Sequence, residues 1–243
     1  MKSILSLVAV AALLVGANAL AIDPAKLTQA LASPDRSDAD KELDAGRKPV
    51  QVLDYLGLEE GMTAMDVMAG GGWFTEVLSR AVGPNGKVLM QNAPASLARG
   101  TTEETVTARL SGRLNNVERV NRDLDDLGVA ADSVDLIITN MNFHDVYNGS
   151  PEAAQSMLAS LKTVLKPGGT LAIIDHIGNP GADNAALHRM PTQDAVAAAR
   201  QAGFTIVDSE SQVLHSMNDD HTLSPFAESL NRNTDRFIIK LTK

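Results

Sequence analysis

From residue 62 to the end of the chain, short apolar runs alternate with longer segments that have apolar residues at helical spacing. The short runs predict seven β-strands: Met62–Met68, Lys87–Gln91, Val117–Asn121, Val134–Thr139, Thr170–Asp175, Thr205–Val213 and Phe237–Leu241. The longer segments predict four helices: Trp73–Val82, Pro94–Leu114, Pro151–Leu165 and Thr192–Ala202. Strands that alternate with helices of this length form a mostly parallel sheet with helices on both faces. The sequence therefore predicts an α/β fold.

The last two predicted strands differ from the others because no helix separates them. Only the polar segment 216–233 lies between them, and strands joined without a crossover helix pair antiparallel. The chain also lacks an internal repeat, a low-complexity tract and a linker. We therefore expect residues 58–243 to form one α/β domain with an antiparallel last strand.

The first 21 residues have the pattern of a signal peptide. Lys2 precedes the apolar run Ile4–Val15, which is shorter than the ~20 residues that span a bilayer. Two cleavage-type sites follow, Ala17–Ala19 and Ala19–Ala21,. An uncleaved anchor and a buried helix are the alternatives. We expect removal of residues 1–21, a periplasmic or secreted mature protein, and no stable membrane insertion after cleavage.

Residues 22–57 predict a helical N-terminal leader. Weak helical stretches lie around Ala25–Leu31 and Asp38–Asp44, with Pro34 between them. A third helix begins at Pro49, because proline is tolerated in a first turn, and ends before Gly57,. We expect the leader to pack against the main domain. Spacing alone leaves open whether it also covers a site.

Composition excludes several classes of function. Acidic residues outnumber basic ones by 30 to 21, so the net charge is −9, and the chain lacks the basic surface that nucleic-acid binding requires. Aromatic residues make up 3%, and cysteine is absent. Disulfides, thiol catalysis and cysteine-ligated zinc are therefore excluded. We expect a small-molecule partner and no nucleic acid, and the sequence leaves the oligomeric state open.

A glycine-rich segment follows the first predicted strand. The sequence Asp66–Gly72 contains three consecutive glycines, and Trp73 opens an amphipathic helix. Glycines allow the backbone to approach a ligand closely or to take positive φ, and free amides at a helix start favour an anionic group. The alternative is a tight strand-to-helix turn without a ligand.

Two motifs resemble a known family. The first is Asp-x-x-Ala-Gly-x-Gly, at Asp66–Gly72, after the first strand. The second is Leu165–Leu171, a helix–turn–strand junction in which we expect Gly168 or Gly169 to end the helix in a left-handed conformation,. With the antiparallel last strand, they resemble class I S-adenosylmethionine-dependent methyltransferases. The resemblance implies a Rossmann-like sheet of seven strands and S-adenosylmethionine as cofactor.

A larger set of segments resembles a narrower group, the exported bacterial proteins called predicted methyltransferases. The segments are Pro34–Arg36, Arg47–Pro49, Gly70–Glu76, Asn142–Asp145, Asp175–His176 and Asp235–Phe237. They span nearly the whole mature chain and occur in the same order as in that group.

The resemblance implies cofactor-binding residues at the ends of the first four strands. They are Asp66, Ala69, Gly70, Gly71, Gly72, Gln91, Asn92, Asp123, Leu124, Asn140 and Met141. Residues after the first strand would contact the methionine part, with Asp66 orienting the loop and meeting the amino group. Residues after the second strand would lie at the ribose, those after the third near the adenine, and those after the fourth in the methyl-donor cavity.

The sequence departs from the family pattern at two places. Met68 stands where the loop usually has its first glycine. Gln91 and Asn92 end the second strand, where the family has an acid that binds both ribose hydroxyls. A neutral amide lacks the charge and the bidentate face of a carboxylate. The affinity for the cofactor is therefore expected to be roughly tenfold weaker than with an acid.

His144 and Asp145, after the fourth predicted strand, are the catalytic candidates. A histidine at this rim is a candidate general base, with Asp145 as a possible orienting group, and a structural histidine is the alternative. Asp175 and His176 are similarly placed after the fifth strand. Before the last strand, the candidate ligands lack the spacing of a metal site, so we expect a solvated loop and no metal; they are His215, Asp219, Asp220 and His221,.

The sequence thus predicts S-adenosylmethionine-dependent methyl transfer to an unidentified small molecule. The first alternative is a non-catalytic periplasmic binding protein that keeps the fold. The second is a nucleotide-binding oxidoreductase, which the missing acid after the second strand and the Lys166–Gly169 junction disfavour,.

Overall fold

A seven-stranded mixed sheet forms the centre of the molecule, which a computed structural model describes over residues 21–243. The strands are β1 (Thr63–Val67), β2 (Lys87–Gln91), β3 (Val117–Val120), β4 (Val134–Asn140), β5 (Leu165–His176), β6 (Thr205–Asp208) and β7 (Arg236–Thr242). Their order is β3-β2-β1-β4-β5-β7-β6. β7 pairs antiparallel with β5 and β6, and the other pairs are parallel. The predicted fold class, including the antiparallel last strand, is confirmed.

Helices cover both faces of this sheet. In the described residues they are α1 (Pro24–Leu31), α2 (Asp38–Arg47), α3 (Pro49–Leu56), α4 (Trp73–Val82), α5 (Pro94–Leu97), α6 (Thr102–Leu110), α7 (Phe143–Gly149), α8 (Pro151–Val164), α9 (Asn184–Leu187) and α10 (Thr192–Gln201). A short 3-10 helix, Glu228–Leu230, precedes β7.

Three differences from the predicted elements have local causes. The predicted helix 94–114 is divided into α5 and α6, because Gly100 takes a φ of +53° between them. α7 and α9 were not predicted, since helices of seven and four residues are too short to show a helical period,. β6 ends at Asp208, whose carboxylate accepts the N–H of Glu210 at 2.9 Å and starts a turn.

The junction before β5 also differs from its prediction. Val134 pairs with Leu165 and Leu136 with Thr170, so residues 166–169 bulge out of the strand. Gly168 takes a φ of +77° as expected, but it does so within this bulge. The helix before it ends at Val164, and Leu165 is already extended. The glycine therefore shapes a bulge and does not end a helix.

The main core consists of two apolar layers, one on each side of the sheet, and a smaller cluster lies around Leu97 and Val106. Alternate residues of a strand point to opposite faces. In β4, Ile137 joins the layer that contains α8 and α10, while Ile138 joins the layer that contains α1, α3 and α4. In β5, Ile173 and Ile174 divide in the same way. Burial on both faces explains why these strands read as continuous apolar runs.

The N-terminal leader packs on the layer that contains α4. Leu31 of α1 and Leu53 of α3 are buried there together with Val77. Polar contacts add to the packing, since the indole Nε1 of Trp73 donates to the carbonyl oxygen of Asp40 at 3.1 Å. Trp73 is therefore a packing residue, and the leader lies beside the glycine loop.

Among residues 21–243, the structure has no helix that is both long and apolar enough to cross a membrane. The signal-peptide prediction concerns residues 1–21, and residues 1–20 lie outside the described part of the chain. It stays a prediction.

Candidate functional site

The carboxyl ends of β1 and β4 meet at the centre of the candidate site. Each strand is followed by a methionine in the left-handed conformation, Met68 with a φ of +55° and Met141 with a φ of +59°. Asn142 joins the two turns, because its Nδ2 donates to the carbonyl oxygen of Met68 at 3.1 Å and its Oδ1 accepts from the Thr139 hydroxyl. The left-handed conformation explains why a glycine would suit position 68, where methionine is strained.

Gln91 and Asn92 support the glycine loop from the end of β2. Gln91 Oε1 accepts the N–H of Met68 at 2.8 Å, and its Nε2 donates to the carbonyl oxygen of Arg122 at 2.7 Å. Asn92 Oδ1 accepts the N–H of Gly70 at 2.8 Å, and Nδ2 donates to the Gly70 carbonyl at 3.0 Å. Both amides are buried. A ribose contact would have to use their remaining hydrogen-bonding capacity, so it stays a prediction.

The loop glycines have different surroundings. A Cβ atom at Gly71 would lie 3.1 Å from Thr105 Cγ2, and one at Gly72 would lie 2.8 Å from Met90 Cε. A side chain at either position would therefore press on α6 or β2, and Gly72 also takes a φ of +81°, the left-handed region that favours glycine,. Gly70 has a φ of +55° and open space where its Cβ would be. Gly70 is thus the loop residue whose backbone a ligand can approach.

Asp66, near the end of β1, is a buried acid that bonds to a side chain in the first turn of α4. Its Oδ2 accepts the hydroxyl of Thr75 at 2.6 Å. Burial disfavours the charged form and raises the pKa of Asp66 to about 7, although Thr75 and the charge of Arg47 oppose the shift,. The carboxyl group thus ties β1 to the first turn of α4, and its role in orienting the glycine loop stays a prediction. Near neutrality, it can lose its proton when a cationic group binds beside it.

We expect Asp66 to lower the stability of the fold as the pH rises. Its folded pKa is raised, so the folded state holds a proton that the unfolded state has already lost between about pH 4 and 7, and stability falls as pH rises through this window. The free energy of unfolding of Asp66→Asn, measured relative to that of the parent, should therefore rise by about 2–3 kcal/mol from pH 5 to pH 8. Urea denaturation at both values measures this difference. An equal gap at pH 5 and pH 8 would contradict the raised pKa.

The remaining predicted cofactor residues lie at the same edge. Asp123 is exposed after β3, and Leu124 is partly buried against the core. Asn140 ends β4, and the N–H of Met141 donates to the carbonyl oxygen of Ile174 at 2.7 Å. Because parallel strands end at one edge, the structure brings all these positions to the side of the sheet that carries the glycine loop. Their contacts with a cofactor stay predictions.

His144, in the first turn of α7, is held by a carboxylate from β5. Its Nδ1 lies 2.7 Å from Asp175 Oδ1, and its N–H donates to Asp175 Oδ2 at 2.8 Å. The ring is 3% exposed, and Nε2 has no hydrogen-bond partner in the described structure. The orienting carboxylate is therefore Asp175, and not Asp145 as expected. A carboxylate on one ring nitrogen makes the other nitrogen the proton acceptor of the neutral ring.

Asp145 lies on the other side of this imidazole. Its Oδ1 is 3.1 Å from His144 Nε2 without hydrogen-bond geometry, and 3.0 Å from His188 Nδ1. Donor atoms of these three residues lie within 4.8 Å of one another, a spacing that a metal ion could also use. His188 was not predicted, and its one signal in the sequence is its place between β5 and α10. The expectation of no metal stays a prediction, which metal analysis of the purified protein can check.

His176 is a neutral member of the same cluster. Its ring centroid lies 6.1 Å from that of His144, and its Nδ1 lies 2.9 Å from the hydroxyl of Thr234. Burial, followed by the charge of Arg236, lowers the pKa of His176 to about 2. The ring therefore stays uncharged at neutral pH and can act only through hydrogen bonds.

The segment 216–233 is largely exposed, as expected, but a buried ion pair anchors it to the fold. Arg189 donates to both oxygens of Asp219, at 2.7 and 2.8 Å, and both side chains are fully buried. Asp219 also accepts the N–H of Asp235 at 2.8 Å. Sequence spacing could not show this pairing, because thirty positions separate the two partners. The anchored segment lies beside His188, whose ring meets that of Phe226 at 5.3 Å.

The fold and the residues of the site together identify the class of protein. The strand order with an antiparallel last strand, the glycine loop after β1 and the buried acid before it define a class I S-adenosylmethionine-dependent methyltransferase. The chain belongs to the family described as "Methyltransferase domain", whose model matches residues 58–227. S-adenosylmethionine is the cofactor of this class, and the open approach to Gly70 beside buried Asp66 fits it. The predictions of fold, enzyme class and cofactor are confirmed.

Sequence relatives support the same assignment. The chain is 29% identical over 123 residues to the ubiquinone/menaquinone biosynthesis C-methyltransferase UbiE of Pasteurella multocida, with 51% of this chain and 43% of that protein covered. It is also 29% identical to UbiE of Klebsiella pneumoniae, covering 51% and 46%. The match thus spans less than half the length of these relatives.

Solved structures share the fold at low sequence identity. A methyltransferase described as S-adenosylmethionine-dependent from Aquifex aeolicus matches with a TM-score of 0.60 and 22% identity, over 90% of this chain and 97% of that one. One from Mesorhizobium loti matches with a TM-score of 0.52 and 17% identity, over 76% and 92%. At these identities the likeness establishes the fold.

Proposed function

We propose that this protein transfers a methyl group from S-adenosylmethionine to a small molecule at the carboxyl edge of its sheet, with His144 as the general base. One observation carries the assignment of the base. His144 is fixed through Nδ1 by buried Asp175, while Nε2 lacks a hydrogen bond. A buried nitrogen without a partner is costly in a folded protein, and it becomes useful where a substrate supplies the missing proton.

The residues around the base have two further roles, binding the cofactor and orienting the base. When bound, S-adenosylmethionine supplies an electrophilic methyl group on a sulfonium. The backbone at Gly70 and the carboxyl group of Asp66 would hold its methionine part, and Gln91 and Asn92 keep the loop in place. His144 removes the proton of the acceptor, and Asp175 holds the ring in the required tautomer.

Asp145 assists the base as a second negative charge. Burial favours the neutral ring, but the hydrogen bond to Asp175 and the charges of Asp175 and Asp145 outweigh it and raise the pKa of His144. A base with a raised pKa binds the acceptor's proton more firmly. Asp145 is half exposed and also holds His188, so it connects the base with solvent.

The acceptor is an unidentified small molecule. The relatives named above are C-methyltransferases of quinone biosynthesis, and we carry over from them only methyl transfer to a small molecule. No observation favours the alternative of a non-catalytic binding protein. The order of the motifs and the signal-peptide pattern of residues 1–21 support placing the protein in the exported bacterial group, in the periplasm or outside the cell,.

The proposal is tested first by calorimetry with S-adenosylmethionine and S-adenosylhomocysteine. An assay then measures the release of S-adenosylhomocysteine with a panel of small acceptors that carry a hydroxyl, thiol, amine or carbon nucleophile. Binding of both nucleosides, and release that depends on an acceptor, are expected. Absence of binding to the folded protein would contradict the function.

Gly70 offers a sharper test of where the cofactor binds. Asn tolerates the left-handed conformation and would place a side chain in the open space at Gly70,. We expect Gly70→Asn to weaken S-adenosylhomocysteine binding by about tenfold or more, since its side chain blocks the approach to the backbone. Calorimetry measures the affinity. Gly168→Asn is the matched control, because Gly168 also has positive φ and open space but lies in the β5 bulge. Equal affinities in the two variants would contradict the placement.

A further inference from the structure

Two arginine side chains at the carboxyl edge have no carboxylate partner in the described part of the chain. Arg236, the first residue of β7, is 5% exposed. Arg47, the last residue of α2, is half-buried, and its Cζ lies 4.5 Å from the centre of the Trp73 ring. Among residues 21–243, no carboxylate oxygen lies within 4.0 Å of either guanidinium, in contrast to the arginines that form ion pairs.

The other arginines buried in the fold are neutralised by acids. These pairs are Arg36 with Asp44, Arg109 with Asp40 and Glu76, and Arg189 with Asp219. Pairing is the rule because removing a charge from water is costly unless a partner compensates it. Acids act on Arg47 and Arg236 only from beyond ion-pair distance, so two guanidinium groups without a direct ion pair at one edge require an explanation.

The two side chains are neighbours beside the candidate catalytic cluster. Arg236 Nη2 donates to the carbonyl oxygen of Gly46, the residue before Arg47, and Arg236 Nη1 lies 3.9 Å from Met141 Sδ. Arg236 is also paired in register with His176 across β5 and β7. Burial and then the charge of Arg47 lower the pKa of Arg236 to about 10, so both groups remain cationic at neutral pH.

We propose that Arg47 and Arg236 form a subsite for an anionic oxygen group, a carboxylate or a phosphate, on a ligand of the methyl-transfer site. A guanidinium presents several N–H groups in a planar fork that matches the oxygens of such anions. One anion between the two side chains would remove their mutual repulsion and supply the missing partner. The ring of Trp73 holds Arg47 in place from the other side.

The subsite rests on the proposed function only for the identity of its ligand. Two sources offer the same chemistry. One is the carboxylate in the methionine part of the methyl donor, and the other is an acidic group on the methyl acceptor. The position next to Met141 and His176 places the subsite within reach of both.

Calorimetry with three probes separates these sources. S-adenosylhomocysteine carries the carboxylate, 5′-methylthioadenosine lacks it, and inorganic phosphate represents an acceptor's anion. Arg47→Gln and Arg236→Gln are compared with Arg200→Gln, which removes an exposed arginine on α10. We expect the first two variants to lose about 10–100-fold in affinity for an anionic probe, the effect of one charge-assisted hydrogen-bonded contact.

The pattern of the losses identifies the ligand. Weaker binding of S-adenosylhomocysteine with unchanged 5′-methylthioadenosine assigns the subsite to the donor. Loss of phosphate binding to protein saturated with S-adenosylhomocysteine assigns it to the acceptor. If all three affinities match those of Arg200→Gln, or if both nucleosides weaken equally, the subsite is refuted.

The folding of each variant and the binding of the nucleosides to the parent protein are checked first. Melting temperatures establish that each variant is folded, and half-buried Arg47 provides the measurement if Arg236→Gln unfolds. Should neither nucleoside bind the parent protein, the proposed function fails, while the phosphate titration alone still decides for or against the subsite.

Discussion

Replacing His144 with alanine is expected to lower turnover by about 10²–10⁴-fold, the usual contribution of a general base, while the affinity for S-adenosylhomocysteine changes by less than about twofold. In the proposed arrangement, the base would contact the acceptor, and the donor would keep its contacts at Gly70 and Asp66. Release of S-adenosylhomocysteine with an acceptor that the parent methylates measures turnover, and calorimetry measures affinity. His215→Ala is the matched control, because that ring is half exposed and bonds to a different carboxylate, Asp235.

The pH profile distinguishes a base from a structural histidine. Only the neutral ring accepts a proton, so kcat/KM should fall as the pH drops through the pKa of His144, which its carboxylate neighbours raise above the ordinary value. Asp175→Asn removes the largest of these influences. It should move the acidic limb of the profile to lower pH and lower kcat, because Asp175 positions the ring. A parallel loss of stability, affinity and turnover in His144→Ala, with an unmoved limb in Asp175→Asn, would assign His144 a structural role.

The sequence was sufficient to predict the sheet because its strands have strong local signals. β1, β2 and β4 are short apolar runs bounded by polar or glycine-rich turns, and the structure places them within two residues of the predicted bounds. Predictions failed where the local structure depends on a few residues with weak signals. The bulge before β5 depends on pairing with β4, a long-range contact that no local pattern reveals.

The candidate site was predictable in position but not in its connections. Parallel strands end at one edge, so Asp66, Gly70 and His144 could be placed together in advance. The partners of these residues could not, because they come from distant parts of the chain. Asp175 lies thirty-one positions from His144. The amide of Gln91, which was expected to contact a ribose, bonds to the glycine loop at Met68. Hydrogen bonds between elements depend on register and twist, which a single sequence does not specify.

Asp219→Asn is expected to lower the free energy of unfolding by about 3–5 kcal/mol. The change keeps the size of the side chain but removes the charge that compensates fully buried Arg189. Arg189 would still donate to the carbonyl oxygens of Leu223 and Ile177, at 2.7 and 2.8 Å. Those neutral acceptors cannot balance a buried cation, since breaking a buried pair leaves one charge desolvated and uncompensated. Urea denaturation followed by circular dichroism measures the loss.

The matched control for Asp219 is an acid in an exposed ion pair. Asp126 lies 3.2 Å from Arg122, and both side chains are more than half exposed, so Asp126→Asn should cost less than about 1 kcal/mol. The double variant Arg189→Met/Asp219→Leu should recover much of the stability, because it removes the stranded charge together with its partner. Equal losses in Asp219→Asn and Asp126→Asn would mean that water reaches Arg189. The segment 216–233 would then be held over the site by its apolar contacts, and His188 would keep its place without the ion pair.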